Sequence, residues 1–538
     1  MRKRSLKDEP GKDFQYCLRL SIPIEFTLDG YSGSLHKLMK DLKSVWKQTT
    51  FLQALVLMPA LVHAQEKPTQ PNILVAIVED SSWLHFSAYG NRVVNTPAFD
   101  RVAREGALFT HAFCSEPTCS PSRAAILTGQ QFWRLENASV FGGSLKSTFP
   151  VFPVLLEEAG YHTGSNGKTW GPGSWIDGGW KENPGGKRYP SFQAFLQSVP
   201  DRKPFCYWQG SADAHRPYRR ELTRMAGKNP ADVQLPPFLP DRLEVRMDIL
   251  DYYCEIERFD RLVGQLLHTL DEAQKSDNTI VVVTSDHGMP FARGKANLYD
   301  LGVRVPLAIR WPARIKGGRT IHDFVSLTDL APTFLEAVGE SVDPSMTGKS
   351  LLDLLLSPSD GRIDRSRTRI FFGKEIGVGA FYGSGRLQGY PNRAIRTEQF
   401  LYIRNYEVDR MPGYNAVQGG PATELMKTQK DQDPAMARNY ELSYGKRPEE
   451  ELYDCAKDPF QMVSLASAPD HAATKKRLRI ELERYLVSTK DPRALGQSEI
   501  FLKYPIWYRR GKKPGESIFL IRDRDGKLSL ETRLEKGL

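Results

Sequence analysis

Three short segments of the chain are hydrophobic almost throughout rather than at alternate positions. Asn72–Val78 (NILVAIV) is rich in β-branched residues, as a parallel strand buried on both faces requires. Phe205–Trp208 and Thr279–Thr284 (TIVVVT) are two more such runs, and Tyr161–Ser165 is a further short candidate strand. Between them lie segments with apolar residues at helical spacing, notably Asp248–Asp271. Strands alternating with helices predict an α/β fold. Each run leads to polar residues: Glu79-Asp80, Gly167-Lys168, Asp213 and His215, and Asp286-His287-Gly288. Ligands of open α/β sheets lie beyond the carboxyl ends of the strands, so these four places predict one site.

The N-terminal pattern is different. From Met39, the lysines Lys40, Lys43 and Lys47 precede an apolar run, Phe51–Val62, and Val62-His63-Ala64 supplies small residues at −3 and −1 of a signal-peptidase site. Residues 1–38 have no regular period. Translation is therefore expected to begin at Met39, with export to the periplasm or the cell exterior, and Gln65–Gln70 is a polar linker before the first strand.

Composition narrows the class. With 538 residues, 40% hydrophobic and 26% charged, the chain builds a large core and is neither disordered nor fibrous. Six cysteines are too few for a disulfide scaffold. No uninterrupted run of 18 apolar residues occurs, so no membrane span is expected. Of the net charge of +10, residues 1–64 supply +4 (ten Lys/Arg against six Asp/Glu), and the rest is scattered. That predicts no nucleic-acid partner, while a mild positive balance suits a polyanionic substrate.

The most informative stretch is Cys119-Ser120-Pro121-Ser122-Arg123-Ala124-Ala125-Ile126-Leu127-Thr128-Gly129. Ser120 is a good N-cap and Pro121 fits a first helical turn, so Cys119 is expected at a helix N-terminus, where N–H groups and the dipole favour an anion. Arg123, one turn on, is placed to donate a charge-assisted hydrogen bond. Cys114, Cys206, Cys254 and Cys455 have no metal-type spacing and read as buried apolar residues; Cys17 lies before Met39.

Cys119-x-Pro121-x-Arg123 followed by Leu127-Thr128-Gly129 resembles the signature of type I sulfatases. The resemblance extends over roughly residues 70–490, through Thr96-Pro97, Gly167-Lys168, Asp213-Ala214-His215, Ser285-Asp286-His287-Gly288, Lys295, Tyr299-Asp300, Arg304-Val305-Pro306 and Glu451-Leu452-Tyr453-Asp454. It implies an alkaline-phosphatase-like sandwich with a large, mostly parallel central sheet flanked by helices, plus a smaller C-terminal α+β subdomain. The implied divisions are a leader at 1–64, a catalytic domain at 70–365, the subdomain at 366–490 and an extension at 491–538.

The resemblance also implies chemistry. Cys119 would be converted to formylglycine by a maturase, and the hydrated aldehyde would attack sulfur and later expel sulfate. One calcium ion would be held by Glu79, Asp80, Asp286, His287 and the modified Cys119, a set rich in oxygen as a hard cation requires. Arg123 would orient the hydrate, Lys168 and Lys295 would bind sulfate oxygens, and His215 with Lys295 would protonate the leaving group. Two positions depart from the family pattern. Glu79 stands where Asp is usual, and Trp170 stands where Gly-Lys-x-His has its imidazole, although an indole cannot accept a proton.

The stretch Gly288-Met289-Pro290-Phe291 before Lys295 and Leu298-Tyr299 is similar to the N-sulfoglucosamine sulfohydrolase (heparan sulfamidase) branch, with Arg293 expected to meet a second anionic group. The expected substrate is a sulfated glycan, N-sulfoglucosamine of heparin or heparan sulfate foremost. An O-sulfatase on another polysaccharide, a phosphonate or phosphodiester hydrolase of the same superfamily, and a binder of sulfated glycan that has lost its base remain open alternatives.

Overall fold

Alternate side chains of the first strand fall into two different cores. Ile73, Val75 and Ile77 pack in one apolar cluster, and Leu74, Ala76 and Val78 in another. Ile280 and Val282 divide from Val281 and Val283 in the same way. A strand buried on both faces has no polar side to show, which is why these runs read as continuously apolar.

The computed structural model describes residues 70–538 apart from 220–222, 224–225, 376–389, 410–411, 413–418, 511–515, 523–527 and 535–538. The expected leader at 1–64 lies outside the described residues. The central sheet has eight strands: β1 (Asn72–Val78), β2 (Ala107–Phe113), β3 (His162–Asn166), β4 (Phe205–Gly210), β5 (Thr279–Ser285), β6 (Arg304–Val305), β7 (Leu307–Arg310) and β8 (Arg319–Ser326). Their order is β3-β4-β1-β5-β7-β2-β6, with β8 also paired to β2. Parallel pairings join β3 to β4, β4 to β1, β1 to β5 and β2 to β8, whereas β7 and β6 run against their neighbours. The sheet is mostly parallel, as the alternation of elements predicts.

Helices cover both faces. Cys119–Thr128 and Leu330–Ala337 pack in the cluster that holds Ile73, while Pro97–Glu105 and the long helix Leu243–Glu272 pack in the one that holds Leu74. The periodicity places the last of these at Asp248–Asp271; its first turn is more polar and begins at Leu243. Among the described residues no helix is long and apolar enough to cross a membrane.

A second sheet is antiparallel, with β9 (Arg369–Lys374), β10 (Asn392–Thr397), β11 (Phe400–Asn405) and β12 (Glu450–Asp454) in the order β12-β11-β10-β9. The helix Ala472–Ser488 buries Leu478, Leu482 and Leu486, one residue per turn along a single stripe. Residues 506–534 add a three-stranded antiparallel sheet, β13 (Ile506–Arg510), β14 (Glu516–Arg522) and β15 (Leu528–Leu534).

A buried ion network fixes the end of β9. Arg393 is fully buried and donates to Asp491 Oδ2 and Oδ1 at 2.7 and 3.0 Å and to Glu375 Oε1 at 2.6 Å. Its guanidinium also lies over Phe132 and Trp133, 5.1 and 5.4 Å from the ring centroids, just beyond the Cys119–Thr128 helix. Arg493 grips Glu375 with two bonds of 2.8 Å. Removing this cation leaves the buried Asp491 without its guanidinium and Glu375 with Arg493 alone, so Arg393→Met should cost about 3 kcal/mol, read as a lower urea midpoint. A loss under about 1 kcal/mol would show that the network contributes little to stability.

Candidate functional site

The carboxyl ends of five strands meet in one place. Glu79-Asp80 follow β1, Asp286-His287 follow β5, Lys168 follows β3, His215 follows β4, and the turn after β2 leads to Cys119. Cys119 is the first residue of its helix and Thr118 is the N-cap, so Ser120 does not cap it as its residue type suggests. Ser120 Oγ instead accepts from Gly142 N at 3.0 Å, and all ten residues of the helix are buried.

Around Cys119 the charges pair closely. The thiol donates to Glu79 Oε1 at 2.7 Å, and Lys295 Nζ lies 3.4 Å from the sulfur. Lys295 also donates to both oxygens of Asp80, at 2.7 and 3.0 Å. Lys168 pairs with Glu79, and its side chain keeps 22% of its surface exposed while Lys295 and Arg123 keep none. Arg123 Nε donates to Asp286 Oδ2 at 2.8 Å, and its Nη1 donates to the carbonyls of Lys168 and Thr169 at 2.6 and 2.9 Å. The arginine thus ties β5 to the turn that carries Lys168.

These surroundings set the protonation states. Burial alone would raise Glu79, but Lys168, His215, Lys295 and Arg123 hold its carboxyl well below the usual range. Burial would likewise raise Asp286, and His287 and Arg123 overrule it downward. Burial lowers an ammonium, yet the anionic neighbours raise both Lys168 and Lys295. Burial pushes the Cys119 thiol up, and Glu79 adds to it. His215 Nδ1 donates to Arg216 O at 2.6 Å, which leaves Nε2 as the bare nitrogen. Burial first, then Lys295, push this imidazole down to about 4, so it is neutral at pH 7.

The residues fit a divalent cation. Asp80, Cys119 and His287 present ligand atoms within 4.8 Å of one another, and so do Glu79, Cys119 and Asp286. His287 Nδ1 faces Gly288 O at 3.1 Å, as a donor must, and burial keeps the ring neutral. Its bare Nε2 then lies 3.3 Å from Asp80 Oδ1 and 3.6 Å from Asp286 Oδ1, with no hydrogen-bond partner among the described residues. A buried ring nitrogen without a donor, facing two carboxylate oxygens, is a donor set that suits a divalent cation.

The backbone is bent to make this convergence. Asp80 has φ +57°, a left-handed conformation rare for a residue with a side chain, and its N–H donates to Asp286 Oδ1 at 3.2 Å. Gly288 admits no Cβ, which would meet Leu301 O at 1.9 Å, and this close contact holds the strand end that carries His287. Two supports come from residues to which the sequence reading gave no role. Ser122 Oγ donates to Asp286 O at 2.6 Å, and Ser285 Oγ accepts from Ser81 N at 2.9 Å.

Three neighbouring residues have other partners. Asp213 turns to Arg258, which also holds Glu255, while Ala214 at φ +68° redirects the chain so that His215 faces the cluster. Arg293 does not present its charge to a second anion. It is 1% exposed, donates to the carbonyls of Leu442 (2.8 Å) and Gln461, and stacks 3.7 Å from the Tyr299 ring centroid. Trp170 is 4% exposed and packs in the core, with its Nε1 unpartnered among the described residues.

Comparison with known proteins agrees with this geometry. The sulfatase family model matches residues 71–340, and the model for the C-terminal region of N-sulphoglucosamine sulphohydrolase matches 291–411. An ulvan-active sulfatase of Formosa agariphila is 26% identical over 521 residues, covering 87% of this chain and 83% of its own. Human N-sulphoglucosamine sulphohydrolase is 29% identical over 490 residues, covering 82% and 93%. A protein solved in complex with its substrate D-glucosamine-2-N,6-O-disulfate shares the fold, with a TM-score of 0.56 and 21% identity over 78% of this chain and 98% of that one. The family model spans half of the chain and takes in all the residues gathered around Cys119: the chain belongs to the sulfatase family, hydrolases of sulfate esters and sulfamates.

Proposed function

We propose that this enzyme removes sulfate from a sulfated glycan, preferring the N-sulfate of glucosamine at a heparin or heparan sulfate chain end, by way of a formylglycine formed from Cys119. The observation that carries the reading is the setting of Cys119, at a buried helix start between the Glu79 carboxylate and the Lys295 ammonium. When installed, formylglycine supplies as its hydrate a nucleophile that is regenerated in each cycle. Glu79, Asp80, Asp286 and His287 would hold calcium, which supplies positive charge for the sulfate oxygens.

The remaining work falls to the chain. Lys168 and His215 are the partly exposed members of the cluster, so substrate arrives on their side. Lys168 and Lys295 bring two fixed cations to the sulfate oxygens, where charge shifts as the bond to the leaving group breaks. His215, neutral before substrate binds, is raised by the arriving anion and so gains the proton that the leaving group needs. Arg123 keeps Lys168 in place through the two carbonyls it binds. No imidazole occupies position 170, so His215 and Lys295 are left to manage the protons of both halves of the reaction.

Support for the N-sulfate comes from the human relative and from the C-terminal family match. The Met289–Phe291 run acts by packing: both side chains are 2% exposed, and the Phe291 ring lies against Arg216, 4.7 Å away, beside His215. A second reading, an O-sulfatase on another polysaccharide, is favoured by the ulvan-active relative. Export, which the leader pattern up to Ala64 supports, would bring the enzyme to such polymers.

Three outcomes test the reading. Cys119→Ala should abolish sulfate release at a stability cost of about 1 kcal/mol, because it removes one buried atom; retained turnover would refute the nucleophile. Asp80→Asn and Asp286→Asn should each lose both bound calcium, measured by titration calorimetry, and activity, and active wild-type protein free of divalent metal would sink the cation site. Formylglycine-bearing enzyme offered N-, 2-O-, 3-O- and 6-O-sulfated mono- and disaccharides should free sulfate from the N-sulfated sugar first. Release from an O-sulfated sugar alone would move the assignment to the second reading.

A further inference from the structure

The turn before Cys119 and the loop that carries Lys295 are joined to each other and to the second sheet. Ala296 N donates to Pro117 O at 2.8 Å, so the residue after Lys295 is bonded to the residue two before Cys119. Gly373 N donates to Ser115 O at 3.0 Å, which brings the end of β9 onto the same turn. The next residue, Lys374, is 5% exposed, and its ammonium donates to Ala296 O at 2.7 Å. Ala296 thus has both backbone polar groups bound, one by the Cys119 turn and one by Lys374. It needs such holding, because it is a buried non-glycine residue at φ +63°.

Glu116 completes the arrangement. It is fully buried, and its Oε2 accepts from Thr118 N at 2.6 Å and Thr118 Oγ1 at 2.5 Å, fixing the residue that precedes Cys119. Burial raises the Glu116 carboxyl and lowers the Lys374 ammonium, while each acts on the other toward its charged form. Lys374 is followed by Glu375, which Arg393 and Arg493 hold in the buried ion network, so the backbone carrying Lys374 is anchored.

We propose that Lys374 is a positioning residue for sulfate hydrolysis: through Ala296 O it fixes the Lys295 ammonium relative to the side chain of residue 119. The inference rests on the function proposed above for Cys119 and Lys295. Lys374 touches neither the sulfur nor the Asp80 carboxylate in any bond described; its effect passes through the backbone of residue 296. Without its ammonium, Ala296 relaxes toward an ordinary conformation and Lys295 shifts. A misplacement of about 1 Å costs roughly 100-fold in rate.

The test uses the full chain bearing formylglycine and a series of aryl sulfates whose phenols differ in acidity. Lys374→Met should lower kcat roughly 10- to 100-fold, with a smaller change in KM. Its kcat should depend more steeply on leaving-group acidity, as in Lys295→Met. Lys374→Arg, which keeps a cationic donor, should recover most of the loss. In the Lys295→Met background, Lys374→Met should add almost nothing, because the two act in series. Should Lys374→Met not fold, Lys374→Gln takes its place in the same cycle. Losses that add in the double variant, or a kcat within about twofold of wild type, overturn the inference alone. Where wild-type protein cleaves glucosamine N-sulfate but none of the esters, the same cycle is read on kcat for the N-sulfate; wild-type protein that frees sulfate from neither overturns the proposed function and this inference with it.

Discussion

The burial of like charges in one small volume is the constraint on which the rest of the structure depends. Glu79, Asp80 and Asp286 are at most 1% exposed, and each would be costly to ionise there alone. Lys168, Lys295 and Arg123 answer them one to one. Such pairs are tolerable only when their geometry is tight, and tight geometry requires stiff supports. The supports are the parallel strands β1, β3, β4 and β5, whose ends lie side by side in one sheet, and the buried helix that begins at Cys119. The left-handed Asp80 and the crowded Gly288 are the local strain accepted so that neighbouring carboxylates face one point.

Much of this was legible in the chain. The apolar runs located β1, β4 and β5 to within two residues at either end, because strands buried on both faces leave an unmistakable pattern. The strand β2 was not legible: Thr110 and His111 interrupt its apolar character, since its partners there include the exposed His322. The short antiparallel β6 and β7 offer too few residues for any period to show. The cluster residues themselves were readable because they follow strand ends within a recognisable family order.

What sequence could not supply is orientation. Arg293 sits in the same loop as Lys295, two residues away, and nothing in the string separates them. In the fold Lys295 points to Asp80, whereas Arg293 serves the carbonyls of Leu442 and Gln461 and the ring of Tyr299. The two left-handed residues Arg293 and Ala296 reverse the chain between them, so neighbours in sequence diverge in space. Lys374 and Glu116 escaped notice for the complementary reason. They are far apart in the chain, belong to no motif, and acquire meaning only when β9 is laid against the turn before Cys119.

The attachment of β9 imposes an order in time. Every side chain of the charged cluster lies between residues 79 and 295, so a nascent chain has made them all before β9 exists. Yet Ser115 and Ala296 each wait for a partner at 373 and 374, and that strand end is in turn held by Asp491 and Arg493. As the ribosome delivers the chain, the central sheet can close early while the distances around Cys119 stay unset for nearly two hundred further residues. The cluster is thus written by residue 295 and finished by the end of the chain.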